Sequence, residues 1–159
     1  MQIRSGGSAA DVNELVRINR EVFEPEYGLD SSFADGMALQ LAELRRSGWP
    51  RAGEGMWVAE LDGRTVGVIA LRDLGGGLAR LADLALEPAA RGSGAGRRLV
   101  EAVVAAARDA GHERLELTTF SELVAARELY RRMGFELKTS ERTIRWGREL
   151  DLERWELAL

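Results

Sequence analysis

Apolar and polar positions follow two periods along the chain, and each change of period marks a change of element. Residues 1–5 fit a short strand, and Ser8 to Asp11 offer helix-start residues. Val12, Leu15, Val16, Ile18, Asn19 and Val22 then recur at helical spacing, which predicts a helix over about 9–23. Glu24-Pro25-Glu26-Tyr27-Gly28 is expected to break it. A second helix starts at Ser31-Ser32, carries Phe33, Met37, Leu41 and Leu44 on one face, and stops at Gly48-Trp49-Pro50. From Gly55 the pattern turns strand-like through Met56 to Leu61, and Asp62-Gly63 is a strong hairpin signal, so Thr65 to Arg72 is the returning strand.

Gly75-Gly76-Gly77 turns the chain into a further strand, Arg80 to Leu86. Its near-continuous apolar run of Leu81, Ala82, Leu84, Ala85 and Leu86 suits a strand covered on both faces. Glu87-Pro88 ends it, and Ala89-Ala90-Arg91-Gly92-Ser93-Gly94-Ala95-Gly96 leads into a helix marked by Leu99, Val103, Ala106, Ala107 and Ala110. Arg114 to Phe120 alternates as a strand, so strand, glycine-loop helix and strand form a βαβ unit with parallel strands. Ser121 is the expected N-cap of a helix through Val124, Ala125, Leu129 and Tyr130 to Met133, stopped by Gly134. Phe135 to Trp146 and Leu150 to Leu159 make a closing strand pair around Gly147. The order is β-α-α-β-β-β-α-β-α-β-β, an α+β fold with a mixed sheet.

Composition narrows the chemistry. The 159 residues suit one domain over 1–159, and 45% hydrophobic with 30% charged residues places the chain among ordinary globular proteins. A formal charge of −4 gives no general attraction to nucleic acid or to an anionic membrane. With no cysteine, thiol catalysis, disulfides and thiolate metal sites are excluded. The start lacks a secretory apolar segment and no apolar run approaches the length of a bilayer span, so a cytoplasmic location is the default expectation. His112, the single histidine, falls in a helix-to-strand turn where an exposed role outweighs catalysis. Trp49, Trp57, Trp146 and Trp155 are dispersed and read as packing residues.

The glycine loop carries the strongest chemical signal. Glycine lets backbone approach a ligand closely, and a helix start leaves unpaired N–H groups with partial positive charge. Together these predict a cradle for phosphate or pyrophosphate, with Arg91 and Arg97 bracketing it. A dinucleotide fingerprint needs a third glycine where Arg97 stands, and a nucleoside triphosphate loop needs Gly-Lys-Ser/Thr where the chain has Gly96-Arg97-Arg98. Both fail. The bland alternative is a turn that merely joins strand to helix.

What remains is R-G-x-G-x-G, Arg91 to Gly96, after a strand ending in x-x-P. It resembles motif A of the GNAT superfamily of acyl-CoA-dependent N-acetyltransferases. Downstream, A-A-R-E-L-Y-R-R-M-G-F-E, Ala125 to Glu136, resembles the second motif of that superfamily, and the element order is similar to its fold over essentially the whole chain. The resemblance implies a pair of central strands that splay apart to admit acetyl-coenzyme A. By it, the pyrophosphate lies on Gly92, Ser93, Gly94, Ala95, Gly96 and Arg97, flanked by Arg91. The pantetheine arm follows Leu84, Ala85 and Leu86, with the Leu86 amide near the thioester carbonyl, and Tyr130 is the general acid toward the coenzyme A sulfur. A phenol is neutral and proton-bearing at pH 7, which suits that task. The alternative is that Tyr130 is only a core residue.

Asp83 is the one carboxylate inside the apolar strand and a candidate general base, or else an edge or surface group paired with an arginine such as Arg80 or Arg114. Glu24 and Glu26, where this fold forms its acceptor wall, read as surface charge or as an attraction for a cationic amine. Many relatives carry an asparagine where this chain has Leu123. The stretch Thr118 to Leu123 is similar to acetyltransferase domains fused to MarR-type regulators, without their DNA-binding segment. The expected function is transfer of an acetyl group to a primary amine on a small molecule or peptide. The alternative is a non-catalytic acyl-CoA-binding sensor, and pairing into a homodimer stays open.

Overall fold

The computed structural model describes residues 1–159. In chain order the elements are β1 (Gln2–Ser5), α1 (Ala9–Tyr27), α2 (Ser32–Arg46), β2 (Gly55–Leu61), β3 (Arg64–Gly75), β4 (Leu78–Leu86), α3 (Ala95–Asp109), β5 (Arg114–Phe120), α4 (Val124–Arg132), β6 (Glu136–Arg145) and β7 (Arg148–Ala158). The order matches the sequence expectation. Seven strands form one sheet in the order β1-β2-β3-β4-β5-β7-β6, and β4 and β5 are its parallel pair.

The N-terminus of α1 is built by a reciprocal cap. Ser8 accepts from the Asp11 N–H at 3.1 Å, and the Asp11 carboxylate accepts from the Ser8 N–H at 3.3 Å. Asp11 also holds Arg4 of β1 at 2.8 Å, tying helix start to sheet edge. At its other end α1 does not break before Pro25 as expected but runs on to Tyr27 and ends at Gly28, which is left-handed at φ 68°. Proline in the last turn forfeits little hydrogen bonding there. Arg148, far along the chain, donates to the Tyr27 carbonyl at 2.6 Å and stabilises that turn.

Two apolar clusters lie on the two faces of the sheet. One packs Leu99, Val100, Val103 and Ala107 of α3 against Ile69, Leu71, Leu81 and Leu115, with Tyr130 of α4 alongside. The other packs Leu15, Ile18, Val22 and Leu41 of α1 and α2 against Met56, Val68, Ala70, Ala82 and Ala85. Deleting any one of these fully buried leucines would cost about 2–5 kcal/mol. The Asp62-Gly63 hairpin forms as expected, both residues having positive φ (51° and 74°). Ser121 does not cap α4. Its N–H goes to the Asp151 carbonyl at 3.1 Å, and the helix begins only at Val124, after an uncapped Leu123.

Candidate active site

The site begins with a break in strand pairing. β4 pairs with β5 only from Leu78–Arg114 to Arg80–Glu116, after which β4 continues against β3 alone and β5 against β7 alone. Beyond Arg80 the two parallel strands diverge, and the gap opens into a cavity of about 680 Å³. Its wall draws Phe23 and Ala82 from one face of the sheet and Leu81, Leu84 and Tyr130 from the other. The gap is therefore a passage through the sheet.

A bulge shapes the β4 side of that passage. Val68 pairs with Ala85 and Ala70 with Ala82, so Asp83 and Leu84 together oppose the single residue Ile69. Asp83 takes φ 61°, a left-handed conformation uncommon for a residue with a side chain. The bulge restarts the alternation, placing Leu84 and Leu86 on the α3 face with Leu81 while Ala82 and Ala85 face α1. Asn19 of α1 pins it: the buried carboxamide donates to the Asp83 carbonyl at 3.1 Å and to the Leu15 carbonyl at 2.9 Å. Sequence pattern placed Asn19 on the buried face of its helix without assigning it this task. The visible signal was an amide among apolar neighbours.

The Asp83 side chain pairs with Arg72 of β3 at 2.7 Å, and not with Arg80 or Arg114. An arginine is the partner, as the alternative reading expected, but a buried one on the neighbouring strand. Arg80 instead holds Glu116 at 2.7 Å and Arg114 holds Glu156 at 3.2 Å. Burial pushes the Asp83 carboxyl above its ordinary value, with the Arg72 guanidinium pulling the other way. Tyr130, 5% exposed, lines the cavity and lies 5.7 Å from Phe135 ring to ring. No side chain or carbonyl holds its hydroxyl. Burial raises the phenol above its ordinary value, so it keeps its proton.

Past Leu86 the chain passes a short turn, Pro88–Ala90, and enters the glycine loop. Glu87 donates its N–H to the Val66 carbonyl on β3 at 2.8 Å. Because successive N–H groups alternate between strand edges, that of Leu86 points to the opposite edge, across the gap. In the loop, Arg98 donates to the Gly94 carbonyl and Ala95 to the Ser93 hydroxyl. The N–H groups of Gly92, Ser93, Gly94, Gly96 and Arg97 have no partner within the chain. Gly92 and Gly94 have φ 75° and 84°, and a Cβ at either would meet nothing within 4 Å, so backbone conformation and not crowding calls for glycine there. At Gly96 a Cβ would sit 3.2 Å from Leu86 Cδ1, so this glycine serves close packing of α3 on β4.

A second hollow of about 500 Å³, bordered by Gly94, Arg97 and Leu129, lies beside the loop between α3 and α4. Arg91 turns to Glu26 at 2.8 Å and to the Leu86 carbonyl at 3.2 Å, and Arg97 to Glu101 at 2.8 Å. These exposed pairs are weak and leave both guanidiniums free to exchange partners. Glu24 is held by Arg20 at 3.0 Å. Leu123 lines the cavity, while His112 lies against the Gly53 carbonyl at 2.9 Å, away from it.

A mixed sheet splayed at its parallel pair, with an anion-ready loop following the first splayed strand, defines an acyl-CoA N-acyltransferase fold. The chain belongs to the acetyltransferase (GNAT) family, whose sequence profile matches residues 13–135. It is 35% identical over 106 residues to N-acetyltransferase 8 of Mus musculus, a match covering 64% of this chain and 46% of that protein. The chain thus spans about half the length of this curated relative. Among solved structures, ribosomal-protein-alanine N-acetyltransferase from Brucella melitensis superposes with a TM-score of 0.78 at 23% identity, covering 100% of both chains. A GNAT superfamily phosphinothricin acetyltransferase from Sinorhizobium meliloti, in complex with acetyl-CoA, superposes with a TM-score of 0.77 at 22% identity, covering 99% of this chain and 88% of that one. At such identities these structures establish the shared fold.

Proposed function

We propose that the chain is an acetyl-CoA-dependent N-acetyltransferase that moves an acetyl group to a primary amine by direct attack. One observation carries the reading: β4 and β5 part beyond Arg80 beside a cavity that Asp83 and Tyr130 both line, and the loop that follows β4 carries five unpartnered N–H groups. The loop fits a diphosphate, since its free donors need an acceptor and its left-handed glycines leave the approach open. Gly92 to Arg97 would hold that group, and the Leu84 to Leu86 edge would hold the arm behind it.

Bound acetyl-CoA supplies an activated thioester. The chain's own residues supply the proton traffic and the orientation. Asp83 takes the proton that the attacking amine loses, directly or through one water, and burial, by raising its affinity for protons, suits it to that role. Tyr130 keeps a proton to give to the departing sulfur. The Leu86 N–H, facing the gap, is a donor for the carbonyl oxygen as negative charge builds on it. No enzyme nucleophile is needed.

The test is thiol release from acetyl-CoA with a panel of amines, run beside calorimetry with coenzyme A. Amine-dependent release supports the reading. Tight binding without release on any amine is the behaviour of a sensor module and would displace it.

A further inference from the structure

Resting on that reading, we propose that the acceptor amine also carries a carboxylate, as an amino acid does. Its carboxylate is seated between Arg72 and Arg80, and its apolar substituent lies on the wall of Phe23, Phe33 and Trp146. The two arginines are direct cross-strand partners on β3 and β4, and Arg80 is the last residue of β4 paired with β5. Like charges directly opposite each other destabilise a sheet unless something neutralises them. Neutralisation is partial. Asp83 serves Arg72, and Glu116 serves Arg80 at 2.7 Å while also lying 3.7 Å from Arg154. A third guanidinium, Arg145, stands over Trp146 at 4.6 Å on the same cavity wall. Three guanidiniums, Arg72, Arg80 and Arg145, thus line a cavity whose own carboxylate is Asp83, with Glu116 behind Arg80 shared with Arg154, and burial disfavours the charge on Asp83.

Hydrogen bonding points the same way. Asp83 and Glu116 each engage only Nη2 of their arginine, so Nη1 of Arg72 and of Arg80 makes no hydrogen bond within the chain; behind them Nε of both arginines and Oγ1 of Thr119 are buried without a partner, and all three residues line the cavity. Arg72 and Thr119 are 6% and 5% exposed, so water offers them little. Unpaired buried polar atoms are rare in native proteins because each is costly. A carboxylate can accept from the free Nη1 of both guanidinium forks at once, and a small turn of either fork would bring a buried Nε to it as well. A polyamine or other purely cationic acceptor would instead meet an excess of positive charge, three guanidiniums against the carboxylates of Asp83 and Glu116. The cavity wall also carries an aromatic cluster, with Phe33 packed edge-on to Trp146 at 5.0 Å and tilted against Phe23 at 5.2 Å.

The test pairs amino acids with the amines that lack only the carboxylate: phenylalanine with phenethylamine, leucine with isopentylamine, and spermidine as the cationic control. Thiol release from acetyl-CoA is followed for the wild type, Arg80→Gln and Thr119→Val. Arg80 is the more exposed of the two arginines and therefore the safer to replace. The expected result is a preference for the amino acid of about ten- to hundredfold in kcat/KM, collapsing in Arg80→Gln while turnover of phenethylamine persists. Thr119→Val, which keeps the side chain's shape, is expected to shrink the same ratio. Equal or better turnover of the decarboxylated amines or of spermidine overturns the carboxylate proposal alone, as does a ratio untouched by both variants. Absence of release with every amine overturns it together with the acetyltransferase reading.

Discussion

Replacing Tyr130 by phenylalanine separates its chemistry from its packing more cleanly than any other change in the molecule. The ring is buried and packs against Phe135, and phenylalanine preserves both contacts. The hydroxyl has no protein partner to lose, so stability should hold within about 0.5 kcal/mol or rise slightly. If the hydroxyl donates a proton to the sulfur, its removal should lower kcat by about 10²–10⁴-fold with little effect on coenzyme A affinity. The pH profile adds an independent readout. A proton donor must be protonated, and burial raises this phenol above its ordinary value of 10.0, so the alkaline limb assigned to it should fall above that value. A base must be deprotonated, and Asp83 is raised above 3.8, so the acid limb should also be displaced upward. Steady-state kinetics from pH 4 to 10, in which no alkaline limb from Tyr130 should appear, with thermal melts of both proteins, makes the measurement. A folded Tyr130→Phe that keeps wild-type kcat refutes the proton-donor assignment.

Three further outcomes are expected. Gly94→Val places a branched side chain at φ 84°, costing about 1–2 kcal/mol of backbone strain, and directs it over the loop's free donors; calorimetry should show coenzyme A binding weakened at least tenfold. Asp83→Asn abolishes the proposed base and leaves Arg72 buried without its carboxylate, so thermal stability should fall by about 3–5 kcal/mol, and adding Arg72→Met should recover much of that without restoring activity. Asp11 is held at about 2, down from 3.8, chiefly by its hydrogen bond to Arg4. Its lowered value contributes about 2 kcal/mol of stability that is fully present above pH 4 and lost as pH falls through 2, so urea titrations of wild type and Asp11→Asn should differ at neutral pH and converge in strong acid.

Local signals made most of the fold legible. Asp62-Gly63 announced its hairpin because only residues tolerant of positive φ suit that turn, and the glycines after Pro88 marked the loop for the same reason. Features decided by distant partners were hidden. Pro25 reads as a stop in its own neighbourhood, yet Arg148 donates to the end of that helix from beyond β6. Ser121 looks like a cap, but its backbone is tied to Asp151 on β7 and the helix starts only at Val124, too far on for its hydroxyl to cap. Asp83 stood out as a carboxylate in an apolar run, while the bulge that sets its direction needed Ile69 and Asn19 to become visible. Its partner Arg72 lies across a hairpin, in a register that composition does not specify. The L-A-D-L-A-L run did hold a trace of the bulge, since strict alternation from Ala82 would have grouped an alanine with two leucines.

The opening between the parallel strands communicates with both faces of the sheet. Two molecules can therefore meet there head-on, each arriving from its own side, without one vacating the space the other needs. In the proposed reaction the acetyl group crosses the plane of the sheet in one transfer, and a protein with no cysteine to park it on has no occasion to carry it. Order of arrival then becomes a matter of affinity, since neither visitor blocks the other's door.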